Sequence, residues 1–185
     1  PHPKKEPGYA PYDSGLAGDH FVRSADGSIY EAPVWPSSAP KNPGASVFPD
    51  FSRPATREWW GALYKPLIDL GIAGIWNDMN EPAVFEQGTF PDDVRFDYDG
   101  QPCSHRKAHN IYGMQMVRAT YMGIKKYSYP DRPFTITRSG YSGVQRFSST
   151  WTGDNVASWD HLWLANIQCQ RLSISGFSFV GSDIG

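Results

Sequence analysis

Four places along the chain set carboxylate or guanidinium groups where they could do chemistry: Asp78 with Glu81 in WNDMNEP, Arg138 in TRSG, Asp154 in WTGDN and Asp183 in GSDIG. Each follows a short run rich in β-branched or aromatic residues, which predicts a strand end. Two carboxylates on separate strands facing one pocket are what cleavage of a glycosidic bond requires. One attacks the anomeric carbon and the other protonates the departing oxygen. A lone Asp after a strand has a plainer use as the N-cap of the next helix, and clustered carboxylates can also hold a metal ion. Four such positions on four strands favour a site over a set of caps. No His or Cys lies at ligand spacing from Asp78 or Asp154, and the EF-hand pattern is absent, so neither a metal nor a cofactor is expected.

The elements that must position these groups read as follows. Residues 1–54 are rich in Gly, Pro, Ser and Asp, as in PGYAPYDSG and WPSSAPKNPGASVFPDFSRP, and read as loop with short strands. An irregular stretch of that length is expected to be an excursion over a site. From Ser52 a helix is predicted through SRPATREWWGALYKPLIDLG, with Ser52 before its first turn, a kink at Pro66 and Gly71 as its stop. IAGIW at 72–76 reads as a buried strand, residues 86–105 as a turn-rich loop, and about 107–127 as a long helix. Strands follow at FTITRSG and SSTWTGDN, then a helix through SWDHLWLANIQCQRLSIS and a last strand in GFSFVGSDIG.

Strands alternating with helices imply parallel βα units, and polar groups at every strand end match the working face of a (β/α)8 barrel. The predicted class is α/β, a partial (β/α)8 TIM barrel. The 185 residues fall short of the roughly 250 of a complete barrel, and the chain opens on Pro1 and stops within an apolar run. The expectation is therefore a fragment of one catalytic barrel domain over 1–185: the excursion at 1–54, then consecutive βα units over 55–185. With sheet edges unclosed, the isolated chain is expected to be poorly soluble and inactive.

A net charge of −2 removes the concentrated basic surface that a nucleic-acid or anionic-membrane partner needs, and no apolar stretch approaches a membrane span. Compartment and oligomeric state stay open. Cys103 and Cys169 match neither a disulfide framework nor a metal spacing and read as unpaired thiols. Seven tryptophans and an aromatic content of 15% suit either sugar-stacking platforms or an aromatic core.

GIWNDMNEP at 74–82 resembles the nucleophile signature of glycoside hydrolase family 31, and WTGDN at 151–155 resembles its acid/base segment. VWP, FPDF, REWW, the RSGYSGVQRFSSTWTGDN stretch, WDHL and GSDIG are similar to further landmarks of the family in the same order, so the likeness spans the chain. It implies the βα units from roughly strand 4 to strand 7, preceded by an active-site loop region. It implies Asp78 as nucleophile and Asp154 as general acid/base. Arg138 would bind the sugar in the −1 subsite and orient the nucleophile, Asp183 would hydrogen-bond sugar hydroxyls, and Trp35, Trp76, Met79 and Trp151 would wall the pocket. Phe48 is placed nearer the rim, and Glu81 in a supporting position. The segment SSAPKNPGASV is longer than the family pattern leads one to expect, which bears on the substrate entrance.

Chemically, a guanidinium such as Arg138 favours the ionised form that Asp78 needs, and desolvation by Trp151 would help Asp154 to hold a proton. The implied activity is that of a retaining, exo-acting α-glucosidase on terminal α-linked glucose of an oligosaccharide. An α-transglucosylase of the same family and a non-catalytic carbohydrate-binding homologue are the alternatives. Trp59 and Trp60 read as core packing, and His105, His109 and His161 as surface or capping residues.

Overall fold

Short β-branched and aromatic runs between helical stretches fold as the alternation predicts. The computed structural model describes residues 3–35, 44–85, 87–128 and 131–184. Strands β3 (Gly74–Asn77), β6 (Phe134–Thr137), β7 (Ser149–Trp151) and β8 (Val180–Gly181) form a four-stranded parallel sheet in that order. Gly74 pairs with Phe134, Ile136 with Ser149 and Thr150 with Val180. The ladder runs past the strands into the polar ends, where the Arg138 N–H donates to the Asn77 carbonyl at 3.2 Å and the Thr152 N–H to Gly181 at 3.1 Å.

Helix α4 (His105–Tyr127) covers one face of β3 and β6 and crosses α2 (Pro54–Ala62). The crossing is close because both helices carry glycine there: a Cβ on Gly123 would lie 2.5 Å from the Gly61 Cα. The predicted kink at Pro66 is instead a break. Helix α3 (Lys65–Asp69) starts afresh beyond Leu63 and Tyr64, with Pro66 in its first turn, where the missing N–H costs nothing. Nor does Ser52 cap α2. Arg53 is the N-cap, and the Ser52 hydroxyl donates to Asp50.

After β7 comes α5 (Trp159–Ile174), capped by the Ser158 side chain, which accepts the His161 N–H. The crossover from β6 to β7 carries only a 3-10 turn at Val144–Arg146. The βα repeat is therefore shorter there than at β3–α4 or β7–α5.

Residues before 54 are more ordered than their composition suggests. They hold α1 (Ala10–Ala17) and the antiparallel pair β1 (Glu31–Ala32) and β2 (Ser46–Val47). APYDSGLA shows no apolar periodicity, so α1 escapes a pattern reading. It packs through Gly15, where a Cβ would overlap the Phe21 ring.

The larger buried cluster joins this region to the segment between β3 and α4 and to α4 itself: Val22, Tyr30, Phe48 and Phe51 meet Phe90, Phe96, Tyr112 and Met116. Trp59 and Trp60 pack there as expected. Phe48, placed near a rim by the family likeness, is fully buried between Tyr30 and Phe90. Buried Asp50 ties the two halves by accepting the Asp97 N–H at 2.8 Å, while Ser52 Oγ accepts the Tyr98 N–H at 2.8 Å. Burial pushes the Asp50 carboxyl up, against hydrogen bonds from Asp97 and Ser52. The segment that carries this anchor forms β4 (Arg95–Phe96) and β5 (Cys103–Ser104), a small antiparallel pair within the predicted loop.

His161 is a capping residue as expected, its Nδ1 accepting the Val156 N–H. His105 is not. Only 2% exposed, it lies between Phe90 and Phe96, with Nδ1 on the Phe90 carbonyl at 3.0 Å and Nε2 on His109 at 3.0 Å. A histidine opening a helix has no sequence mark that separates a cap from a core residue. Burial lowers the His105 pKa, as does His109, while Phe90, Asp92 and Pro91 act against it. Burial also lowers that of His20, with Arg53 adding and Asp19 opposing.

Both folded-state values lie below the ordinary value near 6.5, so on acidification the unfolded chain takes up protons first. The stability contribution is full above about pH 6.5 and is lost as pH falls from there through the folded-state values. Thermal melts of the full-length protein should show a Tm that drops between pH 7.5 and 5.5. His105→Gln, which keeps a donor and an acceptor without a proton to gain, should flatten that drop. An unchanged slope in this variant would remove His105 from the account.

Candidate active site

The candidate residues come from consecutive strand ends. Asp78 follows β3, Arg138 follows β6, Asp154 lies three residues beyond β7 and Asp183 two beyond β8. Three of them meet. Arg138 Nη1 lies 3.2 Å from Asp78 Oδ1 and 3.4 Å from Asp154 Oδ2. The two distances together limit the separation of those oxygens to 6.6 Å. The rest of the guanidinium is held by Glu81, with Nε donating to Oε1 at 2.8 Å and Nη2 to Oε2 at 3.2 Å. Burial alone would lower the Arg138 pKa, but the hydrogen bond and charge of Glu81, with the charges of Asp78 and Asp154, raise it. The cation is therefore secure.

The backbone after β3 bends sharply to make this arrangement. Met79 takes a left-handed φ of +55°, rare for a long side chain and costing about 1 kcal/mol or more. In that conformation its N–H donates to Asp78 Oδ1 at 2.8 Å. Oδ1 thus carries both the amide and the guanidinium contact. The turn after β7 uses Gly153 at φ +90°, which carries Asp154 out past the sheet.

Trp76 and Trp151 pack edge to face at 5.4 Å. With Phe134, Phe179, Asp154 and Asp183 they line an open cleft of about 480 Å³ on one face of the sheet. Trp76, in a strand whose apolar run predicts burial, is 59% exposed, because that face of the sheet carries no covering layer among the described residues. The desolvation expected of Trp151 does not reach Asp154. The indole points into the sheet face against Trp76, whereas the carboxylate beyond Gly153 remains 84% exposed.

Trp35 is not brought to the cleft; it lies against Phe85 at 4.9 Å, beside the Phe85 N–H bond to the Pro33 carbonyl. Most of SSAPKNPGASV, including residues 37–43, lies outside the described residues. Nothing in the pattern of residues around Asn80 marks it as a site residue. It is fully buried, and its only signal was its place between Met79 and Glu81 in the motif.

Carboxylates gathered by one arginine at the C-terminal ends of parallel strands are the layout of a (β/α)8 barrel with its working face there. The chain belongs to glycosyl hydrolases family 31: residues 1–185 match the family's TIM-barrel domain. The fold is thus a partial TIM barrel. The chain is 45% identical to alpha-glucosidase 2 of Bacillus thermoamyloliquefaciens, covering 100% of this chain and 23% of that protein. It is 39% identical to human neutral alpha-glucosidase AB, covering 100% and 19%. Among solved structures, the glucosidase II alpha subunit in its DNJ-bound form superposes with a TM-score of 0.88 at 38% identity, over 100% of this chain and 20% of that one. The family 31 alpha-glucosidase from Bacteroides thetaiotaomicron gives 0.81 at 39%, over 100% and 28%. The chain therefore spans between 19% and 28% of the length of these relatives.

Proposed function

We propose that this chain supplies the catalytic strand ends of a retaining, exo-acting α-glucosidase. In this reading it is one part of a closed barrel, and its substrate is a terminal α-linked glucose on an oligosaccharide. The names of the relatives support the sugar and the linkage. Their greater length, together with the exposure of Trp76, Phe134 and Phe179 on the sheet, supports barrel closure by further chain.

The observation that carries the mechanism is the shared contact of Asp78 and Asp154 with Arg138 Nη1. A limit of 6.6 Å between their oxygens suits the roughly 5 to 5.5 Å of a double-displacement pair. It favours that pair over the roughly 6.5 to 9.5 Å spacing that leaves room for an inverting water.

In the first step, Asp78 attacks the anomeric carbon as the glycosidic bond breaks, and Asp154 gives its proton to the leaving oxygen. Asp78 Oδ1 is occupied by Met79 and Arg138, so Oδ2 is the attacking oxygen. In the second step Asp154, now a carboxylate, takes a proton from water as that water attacks the anomeric carbon and the ester to Asp78 breaks. Arg138 orients Asp78 through its Nη1 contact and binds the sugar with Asp183, while Trp76, Trp151 and Met79 bound the pocket.

Proton NMR of the first turnovers of the full-length enzyme on 4-nitrophenyl α-glucoside tests this. α-Glucose should appear first, with the β anomer arising only by mutarotation. β-Glucose appearing first would exclude double displacement, and α-linked disaccharide as the main product would favour the transglucosylase.

A further inference from the structure

Among the described residues Arg138 contacts both proposed catalytic carboxylates, and two adjacent residues hold it from two directions. Asn80 is fully buried and bonds on both sides of Arg138: its Nδ2 donates to Thr137 Oγ1 at 2.9 Å, and its Oδ1 accepts the Ser139 N–H at 3.1 Å. The amide orientation is fixed by chemistry. The Ser139 N–H can only donate, and the Thr137 hydroxyl has already given its proton to the Ser139 carbonyl at 2.8 Å. Glu81 takes Nε and Nη2 of the side chain as a bidentate pair, which leaves Nη1 to face Asp78 and Asp154.

Helix α4 closes this arrangement from behind. A Cβ on Gly113 would lie 2.7 Å from the Asn80 carbonyl oxygen and 2.8 Å from Ser139 Oγ, so the helix backbone rests directly on the bonded turn. The left-handed turn at Met79 is what sends Asn80 inward and Glu81 toward the arginine.

The geometry points to Asn80 and Glu81 as positioning residues for glucoside cleavage, Asn80 setting the main chain of Arg138 and Glu81 the direction of its guanidinium. This inference rests on the reading of Asp78 and Asp154 given above. Neither residue touches the reacting atoms; each acts through Arg138. Displacing Nη1 by about 1 Å misplaces the charge beside the nucleophile, an error worth on the order of 100-fold in rate.

The test is a double-mutant cycle in the full-length enzyme on 4-nitrophenyl α-glucoside. Glu81→Gln keeps size and loses the ion pair; it is expected to lower kcat by about 100-fold with Tm and KM little changed. In an Arg138→Lys background, where no bidentate pair can form, the same change should cost less than about twofold. Asn80→Ala should behave alike. If that variant does not fold, Glu81→Gln carries the test alone, since Glu81 is part exposed. Losses that multiply in the double variant, or a Glu81→Gln enzyme of normal kcat, would overturn the proposal. An active Asp78→Ala enzyme would instead sink the assignment of the site itself. An inactive Asp78→Ala enzyme with multiplying losses would leave the site standing and the positioning role refuted.

Discussion

Replacing Asp78 with alanine is expected to lower kcat of the full-length enzyme on an α-glucoside by roughly 10⁵-fold, with the fold and Tm retained. The size of the effect follows from the absence of a substitute: Glu81, the nearest other carboxylate in the sequence, has both oxygens committed to Arg138. Removal of the side chain leaves space on the β face of the sugar, and azide is small enough to enter it. With a good leaving group, azide should restore turnover and yield β-glucosyl azide, the product of one inversion. A variant that kept more than about one hundredth of its activity would exclude Asp78 as the nucleophile.

Asp154→Ala should behave differently, and the difference identifies the role. A poor leaving group needs its proton, so cleavage of maltose should slow by about 10³-fold. Glucosyl fluoride needs none, and formation of the glucosyl ester from it should proceed at close to the normal rate. Deglycosylation, deprived of its base, then becomes limiting. Azide, a nucleophile that needs no base, should relieve it and give α-glucosyl azide. Opposite anomers from the two variants would assign the two carboxylates by product alone, and the same anomer from both would refute the assignment. The exposure of Asp154 suits this experiment, because azide can reach its side of the cleft.

The strands and the chemistry at their ends were legible because both obey local rules. Four residues from Gly74 to Asn77 extend, and DMNEP, which cannot continue a strand, must turn. The meeting of Asp78, Arg138 and Asp154 follows from parallel pairing of β3, β6 and β7, which places consecutive strand ends side by side. What escaped reading depends on contacts between distant segments. Phe48 and His105 are buried by Phe90 and its neighbours, and no periodicity in their own segments shows it. Helix α1 lacks an apolar stripe and is held by tight packing at Gly15. Asn80 looks like one more polar residue in a turn until Thr137 and Ser139 are in place on either side of it.

The parallel connection between β3 and β6 also bears on how the chain reaches its native state. Glu81 and Arg138, joined directly in the site, are 57 residues apart in the chain. Bringing the ends of such a loop together costs about 4 kcal/mol of chain entropy before any contact is made. Helix α4, which lies within that loop, forms from neighbours in sequence and shortens the distance still to be searched. The meeting of Asp78, Arg138 and Asp154 therefore has no local precursor: it does not exist until the helix and the strands have come together, and its assembly reports the completion of this sheet.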